Sequence, residues 1–199
     1  MNHALTAALI LTAAPALATC PSRADLREGI VLVQNEPYFI RADIELRPDG
    51  FHEVQLIRTA DDARTVIALS YENALAPMSR TEGRETRLTA YDTDTRILET
   101  LPTEGDVTLS ATDTAGAETT TRRMLFNHIG TDTRMILNCT YDVWTVRVME
   151  AGADGTIDTR ELVYAPDLGA VLAAHSIGPE GTETQFNYTW IGTSADVAR

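Results

Sequence analysis

From Tyr38 to Arg47 the side chains alternate. Tyr38, Ile40, Ala42, Ile44 and Leu46 fall in one phase, and Phe39, Arg41, Asp43, Glu45 and Arg47 in the other. A period of two places the two sets on opposite faces of an extended chain, which predicts a strand with one buried and one mostly wet face. Pro48-Asp49-Gly50 supplies turn chemistry, and a second strand is expected over 51–59. After Asp61-Asp62 a third is expected over 64–71. Residues 72–83 carry Pro77 and Gly83 and read as a loop, and alternation returns over 84–91. Further strands are expected at 106–112, 118–128, 134–138, 140–150, 159–165, 170–177 and 184–191. In the last of these Phe186, Tyr188 and Trp190 share one phase.

Two short helices interrupt this pattern. Ser22 followed by Asp25 resembles a capping box and Gly29 suits a stop, which predicts a helix over 22–28. Residues 92–101, stopped by Pro102, form the second, with Ile97, Leu98 and Leu101 on one side. The tail 192–199 is small and polar and is expected to be loose. About ten to twelve short strands between turn signals, with no repeat of fixed period, predict an all-β antiparallel sheet forming a barrel, half-barrel or sandwich. A single domain over 19–199 is expected.

The N-terminus has a different pattern. Residues 4–14 are an apolar run that ends in Pro15-Ala16-Leu17-Ala18, a small-x-small site. This is the pattern of a secretory signal over 1–18, cleaved after Ala18, although only the α-amino group and His3 supply positive charge ahead of it. Export to the periplasm or beyond gives the two cysteines a meaning, because an oxidising compartment favours a bridge between Cys20 and Cys139. A rival reading takes Leu17-Ala18-Thr19-Cys20 as a lipoprotein box with Cys20 acylated; Thr19 is larger than the residue usual before such a cysteine.

Charge narrows the partners. The formal net charge is −13, and residues 1–18 carry no Asp, Glu, Lys or Arg, so the mature chain keeps all of it. Such a surface repels phosphate backbones and anionic headgroups, which disfavours nucleic acid and polybasic membrane attachment. All 16 basic side chains are Arg, which removes lysine Schiff bases and the phosphate-loop lysine. Beyond residue 18 nothing approaches the roughly 18 apolar residues of a membrane span.

Catalytic motifs fail one by one. His52-Glu53 begins a zinc-protease signature, but Leu56 stands where the second histidine belongs. His175-Ser176-Ile177-Gly178 approaches a nucleophile elbow, but Ala174 replaces its first glycine. His52, His128 and His175 are far apart and not at ligand spacing. Asp154, Asp158 and Glu161, around Gly155, match the second half of a calcium loop. Glu150 and Gly152 spoil the first half, and the flanks read as strands; a hairpin loop accounts for the same letters. Calcium at Asp154, Asp158 and Glu161 is the one cofactor the sequence suggests.

Two stretches carry a resemblance. Cys20-Pro21-Ser22-Arg23-Ala24-Asp25-Leu26 is one; the other is Cys139-Thr140-Tyr141-Asp142-Val143-Trp144, followed later by Tyr164-Ala165-Pro166-Asp167-Leu168-Gly169. Both resemble small exported proteins of alphaproteobacteria, in which a Tyr-x-Pro-x-Leu-Gly turn joins neighbouring strands. The resemblance brings no catalytic residue with it. More distantly, the strand order resembles the open half-barrel of periplasmic lipoprotein carriers, an architectural likeness only. Together these readings lead to a non-enzymatic periplasmic binding or carrier module whose curved sheet takes an apolar or peptide ligand. The alternatives are an envelope interaction protein using a strand edge, and a calcium-dependent or hydrolytic enzyme.

Overall fold

The structure is a computed structural model that describes residues 20–178 and 183–197. The export segment expected over 1–18 lies outside the described residues. Among the described residues thirteen strands form one antiparallel sheet. They are β1 (Ile30–Gln34), β2 (Phe39–Arg47), β3 (Gly50–Arg58), β4 (Arg64–Tyr71), β5 (Ser79–Glu82), β6 (Glu85–Tyr91), β7 (Asp106–Ala115), β8 (Glu118–Ile136), β9 (Cys139–Gly152), β10 (Ile157–Ala165), β11 (Ala170–Ile177), β12 (Glu183–Asn187) and β13 (Trp190–Thr193). Each strand from β1 to β12 pairs with its neighbours in sequence, as a meander of hairpins, and β13 adds to the free side of β1.

The sheet is not closed into a barrel, yet it curls until its ends meet. Within two residues the chain passes from the β12 end to the β1 end. The Tyr188 N–H donates to the Leu172 carbonyl (3.0 Å) and the Thr189 N–H to the Val33 carbonyl (2.9 Å). Tyr188 is 2% exposed, so the crossing is anchored in the core. On the far wall the β10–β11 turn leans against β3. A Cβ added at Gly169 would lie 2.6 Å from the Phe51 ring, and Gly169 has φ +60°. Only glycine fits both conditions.

The concave face is filled at one end by segments between strands. Leu75 and Ala76 follow β4; Leu98 lies in the 3-10 turn Thr95–Thr100 and Leu101 opens α1 (Leu101–Glu104). All four are buried against Leu109, Met124, Phe126, Val146 and Val148. A second cluster joins Leu26, Ile30, Leu32, Ile44, Phe51 and Tyr71 to Tyr141, Val143 and Leu172. Complete burial of such a side chain stabilises by roughly 1.5–3 kcal/mol relative to exposure.

Strand β9 belongs to both clusters through opposite faces. Cys139, Tyr141 and Val143 enter one, Val146 and Val148 the other. The phase change falls beside a bulge in β8, where the register steps from His128↔Val146 to Gly130↔Thr145. One extra residue flips every later side chain of that strand to the other face. Cys20 and Cys139 form a disulfide, S–S 2.14 Å, across a separation of 119 residues. The Tyr141 hydroxyl donates to the Pro21 carbonyl (3.1 Å) next to it.

Several local expectations change. The loop expected over 72–83 contains β5, whose polar Ser-Arg-Thr-Glu gives no hydrophobic signal. The strands expected at 118–128 and 134–138 are one 19-residue strand, β8, carried through by its bulge. Pro102 does not stop a helix; it stands in the first turn of α1, where its missing N–H costs nothing. The helix expected over 22–28 shortens to the 3-10 turn Asp25–Arg27. The strand expected over 184–191 splits into β12 and β13 at opposite ends of the sheet, so Phe186 and Trp190 sit on different strands. The tail expected to be loose is ordered as far as α2 (Ser194–Val197).

Candidate functional site

Where the ends of the sheet approach, above the Tyr188 crossing, side chains replace a strand ladder. The Tyr38 hydroxyl donates to the Gln185 carbonyl (2.8 Å). The Asn187 N–H donates to Gln34 Oε1, and Gln34 Nε2 donates to the Tyr38 carbonyl (3.1 Å). Gln34 is 1% exposed, so this amide is a buried bolt across the seam. The loop that presents Tyr38 contains a cis Glu36–Pro37 bond.

Behind the seam is a recess of about 270 Å³. Its floor follows from register. Leu162 is opposite Ala174, and Ala174 opposite Phe186; one step further out, Arg160 is opposite Ser176 and Ser176 opposite Thr184. Three strands therefore contribute an inner apolar row and an outer polar row, on one face. Tyr38 and Gln185 complete the lining.

Arg160 is held from behind. Its Nη2 donates to Glu150 Oε2 (3.1 Å), which also meets Arg122 Nη1 at 2.7 Å. Arg122 in turn faces Asp113, with Nε to Oδ2 at 2.9 Å, and Asp113 Oδ1 accepts from the Thr89 hydroxyl (2.6 Å). Five successive strands, β6 to β10, thus set one alternating row, Thr89–Asp113–Arg122–Glu150–Arg160, across the concave face. Asp113 is 6% exposed, and Arg122 is its ion-pair partner. Deeper in, Glu53 is also buried. It accepts from Gln55 Nε2 (2.6 Å) and from the Tyr71 hydroxyl (3.0 Å). Burial raises its pKa above the ordinary 4.5, against the lowering effect of these two bonds.

The calcium candidates are not brought together. Asp154 Oδ1 accepts from the Thr156 N–H (3.0 Å) and hydroxyl (2.6 Å), which uses it to close the β9–β10 turn. Asp158 and Glu161 have opposite parity on β10 and therefore opposite faces; Glu161 accepts from Arg147 (2.7 Å) on the convex side. Among the described residues no group of three or more His, Cys, Asp or Glu could hold a metal ion. His52, His128 and His175 also stay apart. His52 contacts Asp49 (3.0 Å), His128 lies edge-on to Trp144, and His175 is 3.6 Å from Glu183. A larger recess of about 590 Å³ lies at the β5–β6 and β7–β8 hairpin ends, but Arg80, Glu82, Glu85 and Arg87 give it a charged lining with no apolar row.

Fold and site together define an open, curled antiparallel sheet with a two-row recess at its seam. No family model matches the chain, and no curated protein or solved structure matches it. Among the described residues no helix is long and apolar enough to cross a membrane.

Sequence patterning shows Tyr38 and Phe186 in alternating runs and Ser176 in a broken nucleophile-elbow motif, but it joins none of them into a site. Phe186 was visible as part of an alternating run, and Leu162 and Ala174 as apolar strand positions. Their meeting depends on pairing across β10, β11 and β12, and the bulge between Val163 and Tyr164 shifts that pairing by one.

Proposed function

We propose that this chain is an exported binding or carrier module that takes a small apolar ligand in the recess behind the seam. The observation that carries the reading is the inner row Leu162–Ala174–Phe186, facing Tyr38 across a cavity of about 270 Å³. Apolar lining with a few placed polar groups is the general character of small-molecule sites, and this volume lies just under their usual range of roughly 300–1,000 Å³. Export is supported by the apolar run over 4–14 with its small-x-small site, and by a disulfide of the kind an oxidising compartment favours.

A strand-adding peptide is less well served. The β12 edge would be its template, but the Gln185 carbonyl and the Asn187 N–H are already engaged by Tyr38 and Gln34.

The test is binding of Nile red, a neutral apolar dye, to the native unreduced protein, compared with Ala174→Trp. Ala174 is only partly buried and lines the recess beside the core, so an indole there fills the recess. Dye fluorescence is expected to rise with the native chain and to be lost in the variant while the melting temperature holds. Equal binding by the two proteins would remove the recess from the account.

A further inference from the structure

The outer row specifies what the ligand carries at its exposed end. We infer that the recess takes a short amphipathic carboxylate, its acid group on Arg160 and its chain along Leu162, Ala174 and Phe186; this rests on the binding role proposed above.

Arg160 is the one charged side chain lining the recess, and no carboxylate lines it among the described residues. A guanidinium has five N–H donors in a planar fork that matches a carboxylate with two parallel bonds. Among the described residues Arg160 spends one donor, on Glu150, and makes no other side-chain hydrogen bond. Glu150 is shared with Arg122, so it positions Arg160 without consuming its fork. Beside it, the Ser176 and Thr184 hydroxyls have no hydrogen-bond partner among the described residues, and both belong to the same outer row. They can donate to the second face of a bound carboxylate. An ammonium headgroup would meet the guanidinium with like charge, and an alcohol would leave the fork unused.

Size sets the class further. At about 30 Å³ for each water-sized heavy atom, a recess of 270 Å³ holds about nine. A medium-chain acid such as octanoate, with ten heavy atoms, matches that size when its carboxylate sits at the open, Arg160 end.

Calorimetric titration of the full unreduced chain with octanoate, octan-1-ol and octylamine separates the possibilities. Octanoate is expected to bind about tenfold more tightly than octan-1-ol, and octylamine most weakly. In Arg160→Met the octanoate advantage should disappear while octan-1-ol binding is kept; Arg160→Lys, with the charge but not the fork, should recover only part of it. Because Glu150 retains Arg122 as partner, neither variant strands a buried acid. Octan-1-ol binding as tightly as octanoate, or an octanoate advantage that survives Arg160→Met, would overturn the carboxylate assignment and leave the apolar recess standing. No binding of any of the three would overturn both.

Discussion

Gly169 meets two constraints at once: φ is +60°, and the space where a Cβ would stand holds the Phe51 ring. Alanine there is strained in the backbone and overpacked in the side chain. Gly169→Ala is expected to cost about 2–3 kcal/mol, read as a fall of roughly 5–10 °C in melting temperature. An unchanged melting temperature would mean that β10–β11 does not close on β3. Glu53 gives a different signature. Its native pKa is raised by burial, so in the unfolded chain the same carboxyl ionises at lower pH. Stability from this group is therefore full below the ordinary 4.5 and declines as pH rises toward the native value. Glu53→Gln removes the titration. As pH rises above the ordinary 4.5 the wild type should lose stability relative to the variant, and parallel curves would contradict the buried-acid assignment. Glu53 itself was legible only as a strand position. It stands in the inner phase of β3 with Phe51 and Gln55, but one charged letter in that phase does not announce its partner Tyr71 on β4.

At the scale of elements, the row Asp113–Arg122–Glu150–Arg160 ties β7 to β10 through side chains as well as ladders. Asp113 is buried, and removing its cation leaves the charge uncompensated. Arg122→Met is expected to cost about 3–5 kcal/mol in chemical denaturation, whereas the pair Arg122→Met with Asp113→Asn should recover most of that loss. If the single and double variants were equally unstable, the guanidinium would be acting through packing rather than charge. Strand β2 was legible because it alternates, with one face buried and the other wetter, while β3 and β4 were legible from the turn residues around them, Pro48-Asp49-Gly50 and Asp61-Asp62. Elements that broke this condition were not. In β5 both faces are polar, in β8 the bulge reverses phase midway, and the run over 184–191 keeps its alternation although the chain changes sheet ends at Tyr188. Periodicity reports local burial and says nothing about which neighbour a strand pairs with.

For the whole molecule, the disulfide joins the start of the described chain to β9, and Tyr141 and Leu26 pack beside the joint. Closing 119 residues restricts the unfolded chain strongly, and reduction, or Cys20→Ser with Cys139→Ser, should cost about 2–5 kcal/mol in urea. The all-β class and the cysteine pair could be read from the letters. The recess could not, because it exists only where the first and last thirds of the sheet meet, and that meeting is made by Gln34, Tyr38 and the turn at Tyr188. Its polarity is equally a long-range property: Arg160 faces the recess because Glu150, one strand away, holds it there. The central claim is that a ligand enters behind this seam. The most direct measurement is amide and methyl NMR of the native protein titrated with octan-1-ol, an apolar probe indifferent to charge. Shifts confined to Tyr38, Leu162, Ala174 and Phe186, with the β5–β6 rim unmoved, are the predicted result. Shifts gathered at any other surface, or none at a saturating probe concentration, would contradict it.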